Sequence, residues 1–178
     1  VAERSTFSSS ISIIGTGNMA RTIGALAVSG GNTVEIMGRD QAKAADLAKA
    51  LGDSATTGQW GAVPAGDIVI VALLYASVVP VVAHYGDALA GKVIVEISNP
   101  FNSAGDGLAH GEDTSIAQEV AKVAPAGASV VKAFNTIFRH VLEKGRPVVF
   151  IAATTHRPKR AWRRSSRASG CARWTSAT

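Results

Sequence analysis

Cysteine is nearly absent from this chain. Cys171 stands alone, which excludes an internal disulfide framework. His84, His110, His140 and His156 show no metal-ligand spacing and have no cysteine partners, so no metal centre is expected. No apolar run reaches the roughly 18 residues of a membrane span. Val1–Ser10 lacks the apolar stretch of a secretory signal, so the expected place is the cytoplasm, away from membranes. Aromatic residues make up only 6%, against many Ala, Val and Gly, which suits helices packed closely on a parallel sheet.

Acids are missing altogether from residues 154–178, which hold seven of the 18 basic residues and leave eleven against 13 acids elsewhere. The net charge of +5 therefore belongs to the tail, and the rest of the chain gives no reason to expect a nucleic-acid partner. With 47% hydrophobic and 17% charged residues over 178 positions, the expectation is one globular domain, residues 1–153, followed by a basic tail, 154–178.

The strongest positive signal is Ile11-Ser12-Ile13-Ile14-Gly15-Thr16-Gly17-Asn18-Met19-Ala20, an apolar run that breaks into G-x-G-x-x-A and then a helical pattern. Gly15 permits the tight turn from strand to helix, Gly17 lets a pyrophosphate approach the backbone, and Ala20 is small enough for helix and strand to pack. The free N–H groups of the helix start, at Asn18 and Met19, would face the anion. Thr33–Met37 follows as a second strand and completes a βαβ unit, which makes this a dinucleotide-binding pattern.

The end of that second strand indicates which dinucleotide. An Asp or Glu there would bind ribose hydroxyls, but the sequence reads Gly38-Arg39-Asp40. A guanidinium suits a 2′-phosphate, because its planar fork donates two charge-assisted bonds and stacks on adenine. Lys43 lies one helical turn further on and can reach the same phosphate. Asp40 reads as the N-cap of a helix over Gln41–Leu51. NADP(H) is favoured over NAD(H).

Strands and helices alternate along the chain. The pattern predicts strands at Ile11–Ile14, Val34–Met37, Asp67–Leu74, Lys92–Ile97, Ser129–Phe134 and Pro147–Ala152, with a short one at 55–57. Helices are expected over Asn18–Ser29, Gln41–Leu51, Gln59–Val63, Ala76–Tyr85, Thr114–Ala124 (begun by Asp113 or Thr114) and Thr136–Glu143, with Pro80 in or near a first turn or causing a kink. The fold class is α/β, a single-domain Rossmann-type doubly wound parallel sheet with its ligand across the carboxyl ends of the strands.

Three loops at those ends would carry function. Leu73 and Leu74 would lie along the nicotinamide half of the cofactor. Ser98 and Asn99, before Pro100 and Phe101, can bind a carboxamide or a substrate carbonyl. Ala133 and Asn135 could present backbone groups to a second planar ligand. A glycine-rich loop, Ser103–Gly111, is expected to be mobile. No residue reads as a necessary general acid or base, and hydride transfer between two carbon centres requires none; it needs two flat rings face to face with water excluded. His84 reads as structural, Asp67 as starting its strand, and Glu96 as a paired or edge group.

Gly15–Ala20, Gly38-Arg39-Asp40 with Lys43, Ser98-Asn99-Pro100-Phe101 and Val131-Lys132-Ala133-Phe134-Asn135-Thr136 together resemble the NADP oxidoreductases dependent on the deazaflavin coenzyme F420, over about residues 10–152. The resemblance implies hydride transfer between NADPH and a deazaflavin in a compact, usually dimeric protein. It implies that Thr16, Arg39 and Lys43 hold the 2′-phosphate and that Asn18 and Met19 lie at the pyrophosphate. Leu73 and Leu74 would flank the nicotinamide half, and Asn99, Pro100, Ala133 and Asn135 the second substrate. The NADPH-to-flavin domain of metalloreductases looks similar too, so a flavin is the other acceptor to consider. A catalytically silent NADP-binding module that senses redox state is the alternative of a different class.

The tail departs from that family, which would continue after Ala152 with an acidic turn, a helix and a strand. Ala153–His156 and Cys171–Ala177 can be written in codons whose shifted frames give Asp-Asp-Pro and Arg-Pro-Val-Asp-Val-Gly. One lost base is the sharper reading of this departure, and a basic arm the blander one.

Overall fold

In the computed structural model the described residues are 8–102, 104, 106–109, 113–144 and 148–153. The whole basic tail, the frame-shift reading attached to it, and parts of the 103–111 loop lie outside them. The elements run β1 (Ser10–Ile14), α1 (Asn18–Ser29), β2 (Thr33–Met37), α2 (Gln41–Leu51), β3 (Ala55–Gly58), β4 (Ile68–Val71), α3 (Tyr75–Tyr85), a 3-10 turn (Gly86–Leu89), β5 (Val93–Glu96), α4 (Ile116–Val123), β6 (Ser129–Lys132), α5 (Arg139–Lys144) and β7 (Ala152–Ala153).

One sheet holds all seven strands in the order β3-β2-β1-β4-β5-β6-β7. The first six are parallel. The strand order reverses between β1 and β4, and in such sheets ligands bind in the crevice at that switch, beyond the carboxyl ends. Alternation along the strands fills both faces. Ile11, Ile13, Ile36, Ile68 and Ile70 pack under α1, α2 and α5, while Ile14, Met37, Val69, Val71 and Ile94 pack under α3 and α4. A sheet covered on both sides explains why the central strand β4 is apolar and buried throughout.

The helix boundaries follow their caps. Asp40 accepts the Lys43 backbone N–H at 3.1 Å and starts α2. The start of α4 differs from expectation: the cap is Ser115, in a reciprocal box with Gln118, rather than Asp113 or Thr114. Helix α3 starts at Tyr75 and carries Pro80 in its interior, beyond the first turn. Helix α5 starts three residues late, because Phe134 has φ of 62° and sends the chain through a turn before it can wind.

Three further expectations are corrected. No helix forms over Gln59–Val63: Gly61 has φ of 81°, outside right-handed helical space, and a single turn bond joins the Ala62 N–H to the Gln59 carbonyl. Trp60 instead packs edge-on against Tyr85, with ring centroids 5.6 Å apart, and the Gly61 N–H donates to the Tyr85 hydroxyl at 3.1 Å. The last strand is antiparallel and only two residues long, pairing Lys132 with Ala152 and Val131 with Ala153. Strand β4 is also shorter than its apolar run: Ala72 makes a last bond to β1, and Leu73 and Leu74 leave the sheet as a loop. No helix among the described residues is long and apolar enough to cross a membrane.

Candidate functional site

The glycine turn after β1 is fixed by its neighbours on both sides. The Gly15 N–H donates to the Met37 carbonyl at 2.8 Å, and the Ala72 N–H donates to the Ile14 carbonyl at 2.9 Å. Gly15 has φ of 131°, and a β-carbon there would collide with the Ala72 carbonyl oxygen. Only glycine satisfies both the dihedral and the approach.

Gly17 is the N-cap of α1, in extended conformation with no side-chain cap, and the first turn contains no acid. A β-carbon on Gly17 would meet nothing within 4 Å, so the ground before the helix is open. The unpaired N–H groups of the first helical turn thus face an accessible, electropositive cradle, which suits a pyrophosphate. Asn18 is exposed and Met19 half-buried beside it.

The second strand's end adjoins this turn. Gly38 is buried, and a β-carbon on it would lie 2.8 Å from the Thr16 methyl. Arg39 follows, exposed and without an ion pair or hydrogen bond among the described residues. Lys43 sits 3.4 Å from Asp40, both largely exposed, a pairing that solvent leaves weak and easily exchanged. The Lys43 backbone N–H, before its ammonium, holds the Asp40 carboxyl below the usual carboxylate range. Two cations and a hydroxyl-bearing turn are available here to a phosphate ester, and Asp40 is engaged as a cap.

The remaining sequence candidates fall at the ends of β4, β5 and β6. Leu73 is half-buried, while Leu74, the N-cap of α3, is 85% exposed. Ser98 is buried and its hydroxyl has no partner among the described residues. Asn99 is exposed and its Nδ2 donates to the Asn135 carbonyl at 2.9 Å, tying two of the expected loops together. Pro100 is half-buried, and its carbonyl accepts the Ala109 N–H at 2.7 Å. Phe101 bridges Leu108 in antiparallel fashion, and the Asn102 N–H donates to the Gly107 carbonyl at 2.9 Å. Ala133 is fully buried, and its N–H donates to the Glu96 carbonyl at 3.1 Å.

Sequence reasoning missed the groups directly under these loops. Glu96 ends β5 and is fully buried; Lys132 ends β6 opposite it in register. The Lys132 ammonium pairs with the Glu96 carboxylate and donates to the Ser98 carbonyl at 2.5 Å, while Glu96 Oε1 accepts the Ser98 N–H at 2.5 Å. Of the two alternatives open for Glu96, paired or at an edge, it is paired. The available signal was a charge of opposite sign closing each of two apolar strands, Val93-Ile94-Val95-Glu96 and Ser129-Val130-Val131-Lys132. Among the described residues no cluster of His, Cys, Asp and Glu could hold a metal ion.

The chain superposes on a hypothetical protein of Sinorhizobium meliloti with a TM-score of 0.81 at 20% identity, covering 96% of this chain and 84% of that one. It superposes on a candidate F420-dependent NADP-reductase of Arthrobacter sp. FB24 with a TM-score of 0.78 at 21% identity, covering 93% and 83%. At such identities the likeness establishes the Rossmann-type fold. In sequence it is 33% identical over 138 residues to the metalloreductase STEAP3 of Rattus norvegicus, which is 76% of this chain and 26% of that protein. The chain thus spans about a quarter of that relative's length. The family described as NADP oxidoreductase, coenzyme F420-dependent, matches residues 10–100, just over half of the chain. The chain belongs to that family of NADP-dependent oxidoreductases.

Proposed function

We propose that the chain passes a hydride between NADPH and a deazaflavin or flavin-type acceptor, with the two rings stacked beyond the carboxyl ends of β4, β5 and β6. The observation that carries this is apolar surface beyond the carboxyl ends of the sheet: Leu74 is 85% exposed and Phe101 61% exposed, each on a loop leaving one of two adjacent strands. A flat conjugated ring would cover such surface and exclude water from the reacting carbons. The cofactor's adenosine half would rest on Gly15, Thr16 and Gly17. Arg39 and Lys43 would neutralise the 2′-phosphate, and the first turn of α1 would receive the pyrophosphate. When bound, NADPH supplies the hydride; the chain's part is to orient and enclose it, holding the nicotinamide near Leu73, Leu74, Ser98 and Asn99.

The test has two parts. NADPH and NADH are titrated into wild type and Arg39→Ala, with an expected loss for NADPH of about thirtyfold, in keeping with a charge-assisted bidentate contact of about 2 kcal/mol, and little change for NADH. NADPH is then mixed anaerobically with deazaflavin, FMN and FAD while nicotinamide absorbance is followed. Turnover with deazaflavin supports the reading. Turnover with FMN or FAD alone would move the acceptor to a flavin. Tight NADPH binding without turnover would favour a silent redox-sensing module. Equal weakening of NADPH and NADH by Arg39→Ala would remove the phosphate role.

A further inference from the structure

We infer that Lys132 and Glu96 form a positioning clamp that sets the Ser98-Asn99-Pro100 loop against the nicotinamide half of the cofactor. The inference rests on the cofactor placement proposed above and goes beyond it, since neither residue is expected to touch a ligand.

Ser98 stands two residues past the end of β5, where the ladder no longer holds the chain. Both of its main-chain polar groups are nevertheless taken, and by the same ion pair: Glu96 Oε1 accepts its N–H at 2.5 Å and the Lys132 ammonium donates to its carbonyl at 2.5 Å. The ion pair itself bridges the last residues of two parallel strands in direct register. From Lys132 the chain runs through buried Ala133 and through Phe134, held at φ of 62°, to Asn135. The Asn135 carbonyl then accepts Asn99 Nδ2 at 2.9 Å. The path from β5 through Ser98 and Asn99, across to Asn135 and back down to Lys132 is therefore a closed ring of covalent and polar links.

A fully buried carboxylate is expensive to keep, and an apolar pair of similar volume commonly serves stability as well. What an apolar pair cannot do is hold one residue by its N–H and its carbonyl together, and so fix the peptide groups on both sides of it. The clamp fixes the height and tilt of the peptide next to Asn99, and it keeps the Ser98 hydroxyl, buried and without a partner among the described residues, on the same turn. These are the loop's polar groups that the proposed placement sets at the carboxamide.

The experiment compares two ligands on the full chain. NADPH carries both halves of the cofactor; 2′,5′-ADP carries the adenine and the extra phosphate without the nicotinamide. Both are titrated by calorimetry into wild type, Lys132→Arg and the uncharged double variant Glu96→Gln with Lys132→Met. The double variant is expected to bind 2′,5′-ADP within about twofold of wild type and NADPH about tenfold more weakly, with Lys132→Arg recovering most of the difference. Equal weakening of both ligands, or of neither, overturns the clamp. Should the double variant not fold, the single variant Glu96→Gln decides, because it keeps the side-chain volume while removing the charge that holds both the Ser98 N–H and the Lys132 ammonium. Selective loss of NADPH affinity in that variant supports the inference, and unchanged affinity overturns it. Wild type binding neither ligand would instead overturn the cofactor placement, and the clamp with it.

Discussion

Thr16 and Gly38 interlock: the methyl of the first stands 2.8 Å from the point a β-carbon of the second would occupy. The contact joins the glycine turn to the end of β2, so the two halves of the expected phosphate site share one boundary. In Gly38→Ala the threonine must turn its side chain away. That adjustment is cheap for the fold and costly for the site. We expect the melting temperature to fall by only about 3 °C, while the dissociation constant for NADPH rises roughly fivefold. Thermal unfolding and an NADPH titration on the same sample check this, and a large fall in melting temperature with unchanged affinity would contradict it.

Gly15→Ala is predicted to act in the opposite proportion. The new side chain meets a backbone carbonyl oxygen at Ala72 and needs φ of 131°, so neither a rotamer change nor a small dihedral shift relieves it. A loss on the order of 3 kcal/mol, about 10 °C in melting temperature, is expected. Chemical denaturation read by circular dichroism measures it, and an alanine variant as stable as wild type would mean that β1 and β4 separate at this point.

The cap of α2 should titrate. The Asp40 carboxyl accepts the Lys43 N–H and is held below its ordinary value of 3.8. A lowered folded-state pKa means that this stabilisation is fully present above the unfolded value and is lost as pH falls through the folded one. Asp40→Asn keeps an acceptor for the cap but removes the charge, so its melting temperature should track wild type at pH 7 and lack the corresponding fall below pH 3.8. Asp40→Ala should lose roughly 3 °C at pH 7.

A second acid-sensitive link joins α1 to α5. Thr22 Oγ1 donates to Glu143 Oε1 at 2.9 Å and Arg139 Nη1 donates to the same oxygen at 2.7 Å. The threonine hydroxyl first and the arginine second hold the Glu143 carboxyl below its ordinary 4.5. The link is present above pH 4.5 and is released as pH falls through the lower folded value. In Thr22→Val the carboxyl resonance of Glu143, followed by NMR, should titrate at higher pH than in wild type. An unchanged midpoint would show that Arg139 alone sets it.

Much of this fold was legible because the chain punctuates itself. The bounds of α1 and α2 follow from Gly17, Gly30, Asp40 and Gly52, and the βαβ unit around them carries the cofactor pattern in four residues. Apolar runs were less reliable guides. Asp67–Leu74 reads as one strand, yet β4 spans only Ile68–Val71 and the chain has left the sheet by Leu73, because hydrophobicity reports what a residue is and not where the chain turns. Leu74 is the instructive case: its side chain extends the run in sequence and faces outward in space, at 85% exposure. The Gln59–Val63 helix failed for a related reason. A five-residue pattern cannot outweigh one left-handed glycine and a tryptophan with a better place to pack. In the candidate site, Asn99 and Asn135 were each readable as loop residues, but their hydrogen bond was not. The Glu96–Lys132 pair depends on the register of strands 36 residues apart, and a single sequence supplies no direct measure of register.

Strand β7 joins the sheet through two residues only, and one of its two partners is Lys132. Mechanical load arriving from beyond residue 153 therefore enters the domain beside the ion pair and not through a distant edge. A fusion or an altered ending attached there would be expected to disturb how the reactive end of the cofactor is aimed well before it loosened the grip on the adenosine.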